Sequence, residues 1–410
     1  MKKLLVVLII FLFALDLYAE EKPREKTPFR MRDRHFEMGF ANVDVGFANN
    51  FLGIKDILTD KITLDFTGFD KDFILGFDFN LRPFYFNINA KNRWGFGMDI
   101  GNITAYGSVA IAGNLLRLKK SDKDGDPFGV GASVFVDVGI PVFFKIKNVR
   151  NKDLRINLRP AGFVAAFYAS PDMKYTYKDT DSGTLLEIDY GIKAYSPFSL
   201  DFENESFNID ISSMLGFDIS IGAEYSLSKR IDLGIQFINI PIKSSRLNNY
   251  LLFEGKASFD SSEVTIEDLI NDSDAMNDLL NLPENYDIIY GSDEGKRFYR
   301  PFKMLFTANY RPFAKSVLFI SPVIGFSYNP VFVKKASVEF GVKVGCDLGN
   351  ILKVAVKTCY EDQMWKNGAD IMFNLYVLEL GFGVAMQSQQ FVQSWQGKGL
   401  RANLSVKLGF

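Results

Sequence analysis

One histidine, two cysteines and three tryptophans occur in 410 residues. His35, Cys346 and Cys359 are too few for a Cys/His zinc cluster, which takes four such ligands. Charge of either sign is not in excess: 47 Lys and Arg stand against 49 Asp and Glu, a formal net charge of −2. That balance excludes a strongly basic nucleic-acid binder, which needs positive surface to displace counterions. An aromatic share of 15% excludes a disordered acidic chain. Beyond residue 19 no apolar run approaches the length of about 18 residues that a membrane-spanning helix needs. What the sequence has instead is 40 Phe and 33 Gly at an ordinary hydrophobic share of 47%.

The first residues carry the one continuous apolar run. Lys2 and Lys3 precede Leu4–Leu15, Asp16 interrupts it, and Leu17-Tyr18-Ala19 offers a cleavage site, so 1–19 reads as a signal peptide. As a helix that run is about 18 Å long, short of the roughly 30 Å hydrocarbon core a transmembrane anchor must cross. Residues 20–35 form a charged, proline-containing arm. An exported chain without a spanning helix is either free outside the inner membrane or crosses an outer membrane as a closed barrel.

From residue 36 the dominant period is two. In Phe128–Ile146 every even position is apolar, whereas odd positions include Gly129, Gly131, Ser133, Asp137, Gly139 and Lys145. Phe207–Tyr225, Val338–Leu348 and Leu400–Phe410 repeat the pattern. Successive strand side chains face opposite sides, so each segment has an apolar and a polar face. Soluble sheets alternate too, but these runs persist well beyond a typical soluble strand and reach the roughly 9–11 residues a membrane strand requires. The expected fold is all-β: a transmembrane antiparallel β-barrel of about 14 strands, within 12–16, with short loop helices over 36–410. Helices are expected at Phe51–Leu58, Asn114–Lys120 and Thr265–Leu280. Counting strands back from a periplasmic C-terminus, with 370–386 taken as one strand, puts the Gly349-Asn350 turn outside and the long 260–297 connection in the periplasm, the reverse of the usual short-inside, long-outside rule, so either one strand is miscounted or 260–297 is a periplasmic insertion. Aromatic residues near strand ends (Trp94, Tyr106, Phe128, Tyr195, Tyr225, Tyr310, Tyr328 and Tyr360) are expected to form interface girdles.

Asp137, Lys145, Asp210, Asp218, Glu224, Glu339, Lys343, Asp347, Arg401 and Lys407 are expected to face the lumen. Two readings stay open for them: mutual pairing that plugs the barrel, or a polar pathway whose mixed signs give little ion selectivity. Asp122-Lys123-Asp124-Gly125-Asp126 imitates an EF-hand opening, but Pro127 and Ser133 stand where the loop needs Gly and Glu. His35 has no nucleophile or carboxylate paired with it by sequence, so no enzyme activity and no cofactor are expected. Cys346 and Cys359 fall out of register and on opposite faces across a hairpin, which excludes a disulfide between them.

The last strand, with Leu404, Val406, Leu408 and Phe410, resembles the C-terminal signature of bacterial outer-membrane barrels; the resemblance implies recognition by the barrel assembly machinery. The stretch Met38 to Leu58, with Asn49-Asn50-Phe51-Leu52-Gly53, resembles the opening of the long-chain fatty acid transporter family, a Gly/Ala-rich first strand followed by an Asn-Pro-Ala-Gly-type plug motif. The Pro-Ala pair is missing here, and no ligand residues carry over. Over its mature length the chain also resembles exported barrels of spirochaetes and Bacteroidetes. These resemblances imply a cell outer membrane protein, in contact with outer-membrane lipid, acting as a passive channel or transporter for small hydrophobic solutes. The alternative is a structural or surface-binding barrel with a plugged lumen.

Overall fold

The computed structural model describes residues 35–49, 73–90, 93–111, 128–149, 152–180, 183–197, 214–228, 230–260, 286–312, 317–330, 335–348, 351–375, 377–388 and 390–409. The expected signal segment, most of the expected arm, the three expected helices, the acidic stretch 122–126, Asp210 and Phe410 lie outside them. The strands are β1 (Phe36–Asn49), β2 (Phe73–Ala90), β3 (Trp94–Ile111), β4 (Phe128–Gly139), β5 (Val142–Val149), β6 (Lys152–Thr180), β7 (Gly183–Ser196), β8 (Leu215–Ser226), β9 (Ile231–Lys243) and β10 (Ser245–Asp260). They continue with β11 (Tyr286–Phe298), β12 (Phe302–Tyr310), β13 (Leu318–Tyr328), β14 (Ala336–Leu348), β15 (Leu352–Glu361), β16 (Met364–Leu375), β17 (Leu378–Ser388) and β18 (Gly399–Gly409). A single short helix among the described residues, α1 (Phe391–Ser394), precedes β18.

These segments make a closed antiparallel barrel of 14 staves. Four staves are each built from two segments end to end: β4 with β5, β7 with β8, β9 with β10 and β11 with β12. The long β6 shows this, pairing β5 and then β4 along one edge, and β8 and then β7 along the other. Closure comes from β1, which pairs β2 on one side and β18 on the other. Among the described strands the sheet closes on itself, the condition for a strand protein to lie in lipid.

The registers Phe36↔Ile88 and Glu37↔Gly409 put both ends of the barrel chain at one rim. The connections at that rim are short: 91–93, 150–151, 227–230, 311–317, 349–351 and 376–377. Three long ones, 50–72, 112–127 and 261–285, join strands at the opposite rim, and a fourth, 197–214, joins β7 to β8 within one stave. This corrects the sequence reading. Residues 370–386, read as one strand, are parts of β16 and β17, and the missed reversal inverted every strand before it. The Gly349-Asn350 turn therefore lies at the terminus rim. Of the expected insertion near 260–297, residues from Tyr286 onward are β11, and 261–285 connects at the long-loop rim. The expected strand 207–225 begins only at Leu215.

The outward positions are apolar: Val136, Val138, Ile140, Phe144 and Ile146 follow one another along a single stave, and Phe382 and Val384 along another, all exposed. Their inward neighbours Phe135, Asp137 and Phe143 are buried. Such exposure over the whole wall far exceeds what a soluble monomer shows and identifies a lipid-facing exterior. Glycine inside the barrel makes room for rings: a Cβ on Gly216 would lie 2.4 Å from Phe163 Cζ.

Cys346 opposes Val354, and Cys359 opposes Gly341. Cys346 shares the outward parity of Val338 and Phe340, whereas Cys359 shares the inward parity of Ala355, and both thiols are free. Electrophoretic mobility of the unfolded protein should be the same with and without reductant; a reductant-dependent monomer band would contradict this register.

Candidate functional site

Backbone irregularities fall at one level through eight neighbouring staves. Ala41 on β1 has φ 48° and Gly101 on β3 has φ 68°. Between them β2 carries Arg82-Pro83. The β3–β4 register shifts between Asp99 and Asn102. The next stave breaks at Ile140-Pro141, where the Ile140 N–H donates to the Pro160 carbonyl of β6 at 2.9 Å. Pro160 opposes Ile219, and the β8–β9 register shifts on both sides of Ile219. Asn239 has φ 55°, and its Nδ2 donates to the carbonyl of Pro301, in the gap between β11 and β12, at 2.9 Å. Pro83, Pro141, Pro160, Pro241 and Pro301 thus share one belt. Proline has no N–H to give the ladder, so within a sheet it belongs at bulges and breaks.

The inner side of this belt carries an alternating chain of charges: Arg82, Asp99, Arg159, Asp137, Arg300 and Asp218. Arg82 bonds Asp99 Oδ1. Arg159 donates from Nε to Asp99 Oδ2 at 2.7 Å and from Nη2 to Asp137 Oδ1 at 2.6 Å. Arg300 bonds Asp137 through Nη1 and clasps Asp218 with Nε and Nη2, both at 2.7 Å. That two-pronged grip is the strong form of a charge-assisted hydrogen bond. Asn102 Nδ2 adds a bond to Asp137 at 3.3 Å. The three aspartates are each at most 4% exposed and Arg300 is 7% exposed. Desolvating each ion costs several kcal/mol, so the chain persists by pairing every charge.

On the long-loop side of this chain, Phe135, Phe163, Ala165, Tyr168, Tyr195, Leu247 and Phe298 form a buried cluster inside the barrel. Tyr168 and Phe298 have centroids 4.3 Å apart, and the Arg300 guanidinium lies 5.4 Å from the Phe163 ring centre. Here β7 has ended and β8 has not begun. Ser245 bridges the gap, accepting the Ala165 N–H at 3.0 Å and donating to the Met214 carbonyl at 2.5 Å. On the terminus side the inward residues turn polar, with Arg155, Asn157, Glu224 and Gln236. A cavity of about 50 Å³ lies in the wall beside Pro141, Phe143, Arg159 and Gln236.

A second ionic group lies nearer the long-loop rim. Lys303 of β12 reaches Asp362 at 2.9 Å, Glu361 at 3.2 Å and Glu339 at 3.3 Å. Lys366 meets Glu361 at 3.2 Å and Asp362 at 3.5 Å. Beside it Arg401 bonds Asp44 at 2.7 Å and also Asp78.

Of the residues singled out by alternation, Asp137 and Asp218 are in the charge chain, Glu339 pairs Lys303 and Arg401 pairs Asp44. Lys343 pairs Asp370 at 2.8 Å, Asp347 pairs Lys353 at 3.6 Å and Lys407 pairs Glu379 at 3.3 Å. Glu224 is buried on the inner face and Lys145 is half-buried beside Phe143. The arginines that join the aspartates were missed. Arg159 shares inward parity with Arg155 and Asn157 and was readable from alternation; Arg300 lies outside any strand. Two expected girdle residues are corrected. Gly101 shifts the β3 parity, which carries Tyr106 into the lumen, and Tyr195 packs in the inner cluster. Trp94, Tyr310 and Tyr328 are exposed.

No protein-family model and no curated protein matches the chain. Among solved structures it is distantly similar to a FadL homologue of Pseudomonas aeruginosa, with 10% identity, 92% of this chain and 91% of that one covered, and a TM-score of 0.45. It is similar to the Ralstonia pickettii toluene transporter TbuX, with 10% identity, coverage of 93% and 90%, and a TM-score of 0.44. For the P. putida toluene transporter TodX the values are 10% identity, 93% and 91%, and 0.45.

Proposed function

We propose that the protein is an outer-membrane barrel that passes small hydrophobic solutes passively. The observation that carries this reading is the ring-lined inner cluster on the long-loop side, within a lumen where a water-filled porin would place polar groups. The terminus rim, with its short connections, would face the periplasm, and residues 1–19 would direct export. Outer-membrane lipid and the assembly machinery would be its partners, the latter through Leu404, Val406, Leu408 and Phe410. The charge chain is neutral, three arginines against three aspartates, so it offers no net field to select ions. The 50 Å³ cavity is smaller than the roughly 150 Å³ that takes up benzene, so passage requires the wall or the charge chain to part. His35 is exposed, with Nδ1 3.4 Å from the Asn89 carbonyl oxygen.

Deletion of the gene should slow growth on, or uptake of, a monoaromatic hydrocarbon or a long-chain fatty acid, and the purified protein should show no large steady conductance in planar bilayers. A large open-pore conductance would refute the reading. The continuous charge chain favours a second reading, a plugged structural or surface-binding barrel. Unchanged uptake of both solutes together with a silent bilayer would support it.

A further inference from the structure

The segment that carries α1 packs on the outer wall of the barrel, beside β16 and β17, and it is built inside out for a loop in water. Three outward positions of the wall beneath and beside it are polar: Thr358, Asn367 and Ser388. In lipid each would be costly unless bonded. Here they form one hydrogen-bonded set with the helix. Thr358 Oγ1 donates to Asn367 Oδ1 at 2.5 Å, Asn367 Nδ2 donates to Ser394 Oγ at 2.5 Å, and Ser394 Oγ donates to the Phe391 carbonyl at 2.5 Å. Ser388 Oγ donates to Gln393 Oε1 at 3.4 Å. Asn367 is 1% exposed, and Ser388 and Ser394 are fully covered. The opposite side of the segment presents Phe391, Val392 and Trp395 outward, at 45%, 68% and 56% exposure.

The row in which this happens is also informative. Phe340, Tyr360, Trp365 and Ser388 are successive cross-strand partners on β14 to β17. Rings occupy the first three positions, with Phe340 and Trp365 5.3 Å apart and Tyr360 and Trp365 5.4 Å apart. At the fourth the wall has only a serine, and Phe391 continues the row by packing edge-on to Trp365 at 4.8 Å. Exposed Phe382 and Val384 lie toward the terminus rim on the stave it covers, so the patch is continuous with the lipid-facing band.

We propose that α1 and Trp395 lie in the membrane, at the interfacial level of the long-loop rim, and complete there the aromatic girdle that β17 leaves open. The partner of Phe391, Val392 and Trp395 is the lipid surface.

The test uses the full barrel carrying W94F and W365F, so that Trp395 is the sole indole, reconstituted in phosphatidylcholine vesicles brominated at shallow or deep chain positions. Trp395 emission should be strongly quenched by shallow bromines, less by deep ones and little by aqueous iodide. Efficient iodide quenching with no effect of bromolipids would overturn the proposal. So would emission insensitive to both quenchers but sensitive to protein density in the membrane, which would mean that a second copy covers the patch. If that variant does not fold, V392C in a C346S/C359S background, carrying a polarity-sensitive fluorophore, reads the same distinction. A blue-shifted, lipid-quenched label is expected, and a water-like spectrum would overturn it. Neither readout depends on whether the barrel transports anything.

Discussion

Arg300→Ala should destabilise the barrel by about 3–5 kcal/mol, the usual cost of breaking a buried ion pair from one side. Asp218 is 2% exposed, and both of its carboxylate oxygens are clasped by the one guanidinium. Without Arg300 that charge is stranded in the wall, whereas Asp137 keeps Arg159 at 2.6 Å. Arg300→Lys restores charge but not the fork, and should recover only part of the loss. Removing both charges, as in R300M with D218L, should return stability to within about 1–2 kcal/mol of the parent, because desolvation and attraction nearly cancel in such pairs. Urea midpoints of the folded, heat-modifiable form measure this series. If R300A alone costs less than about 1 kcal/mol, water reaches Asp218 and the charge chain is not a buried network. The same variant tests the lumen: if the chain bars the way, R300A should raise bilayer conductance above the parent's.

The barrel and the face of most strands were legible because lipid on one side and a polar lumen on the other impose strict period two. In β4, Val136 and Val138 lie out while Ser133 and Asp137 lie in, as their parity says. The argument failed where the chain departs from that period. Gly101 puts an extra residue into β3, and every inward position after it changes parity, as Tyr106 shows. The tight turn between β16 and β17, at 376–377, has neither Gly nor Pro to announce it, so two strands read as one. The charge network was half legible. Alternation shows that Asp137 and Asp218 face inward, but not that Arg300 joins them from 163 and 82 residues away. The prolines carry the missing signal. Pro83, Pro160 and Pro301 each stand next to an arginine of the chain, Arg82, Arg159 and Arg300, and Pro141 lies four residues after Asp137. A proline inside a barrel strand marks a bulge, and a bulge re-aims its neighbouring side chains.

Lys303→Met should be the second costly change, and its effect should appear at the long-loop rim. The cluster holds two lysines and three carboxylates, so it is already one negative charge in excess. Loss of Lys303 doubles that excess and takes from Glu339, only 3% exposed, its ionic partner at 3.3 Å. Glu361 and Asp362 retain Lys366 at 3.2 and 3.5 Å, so the damage centres on Glu339. A loss of about 3 kcal/mol follows from the buried carboxylate left behind, and K303M with E339Q should recover most of it. A positional consequence follows too. Asp362 and Gln363 form the tip of the β15–β16 hairpin, with φ of 52° and 65°, and Lys303 ties that tip to β12, three staves from β15. With the tie cut, the tip loses the ion pairs that join it to β12. Hydrogen exchange of amides 360–366 should therefore rise in K303M and return to the parent's level in K303R, which keeps the charge. Parental exchange at the tip in K303M would show that the hairpin holds its position without the lysine.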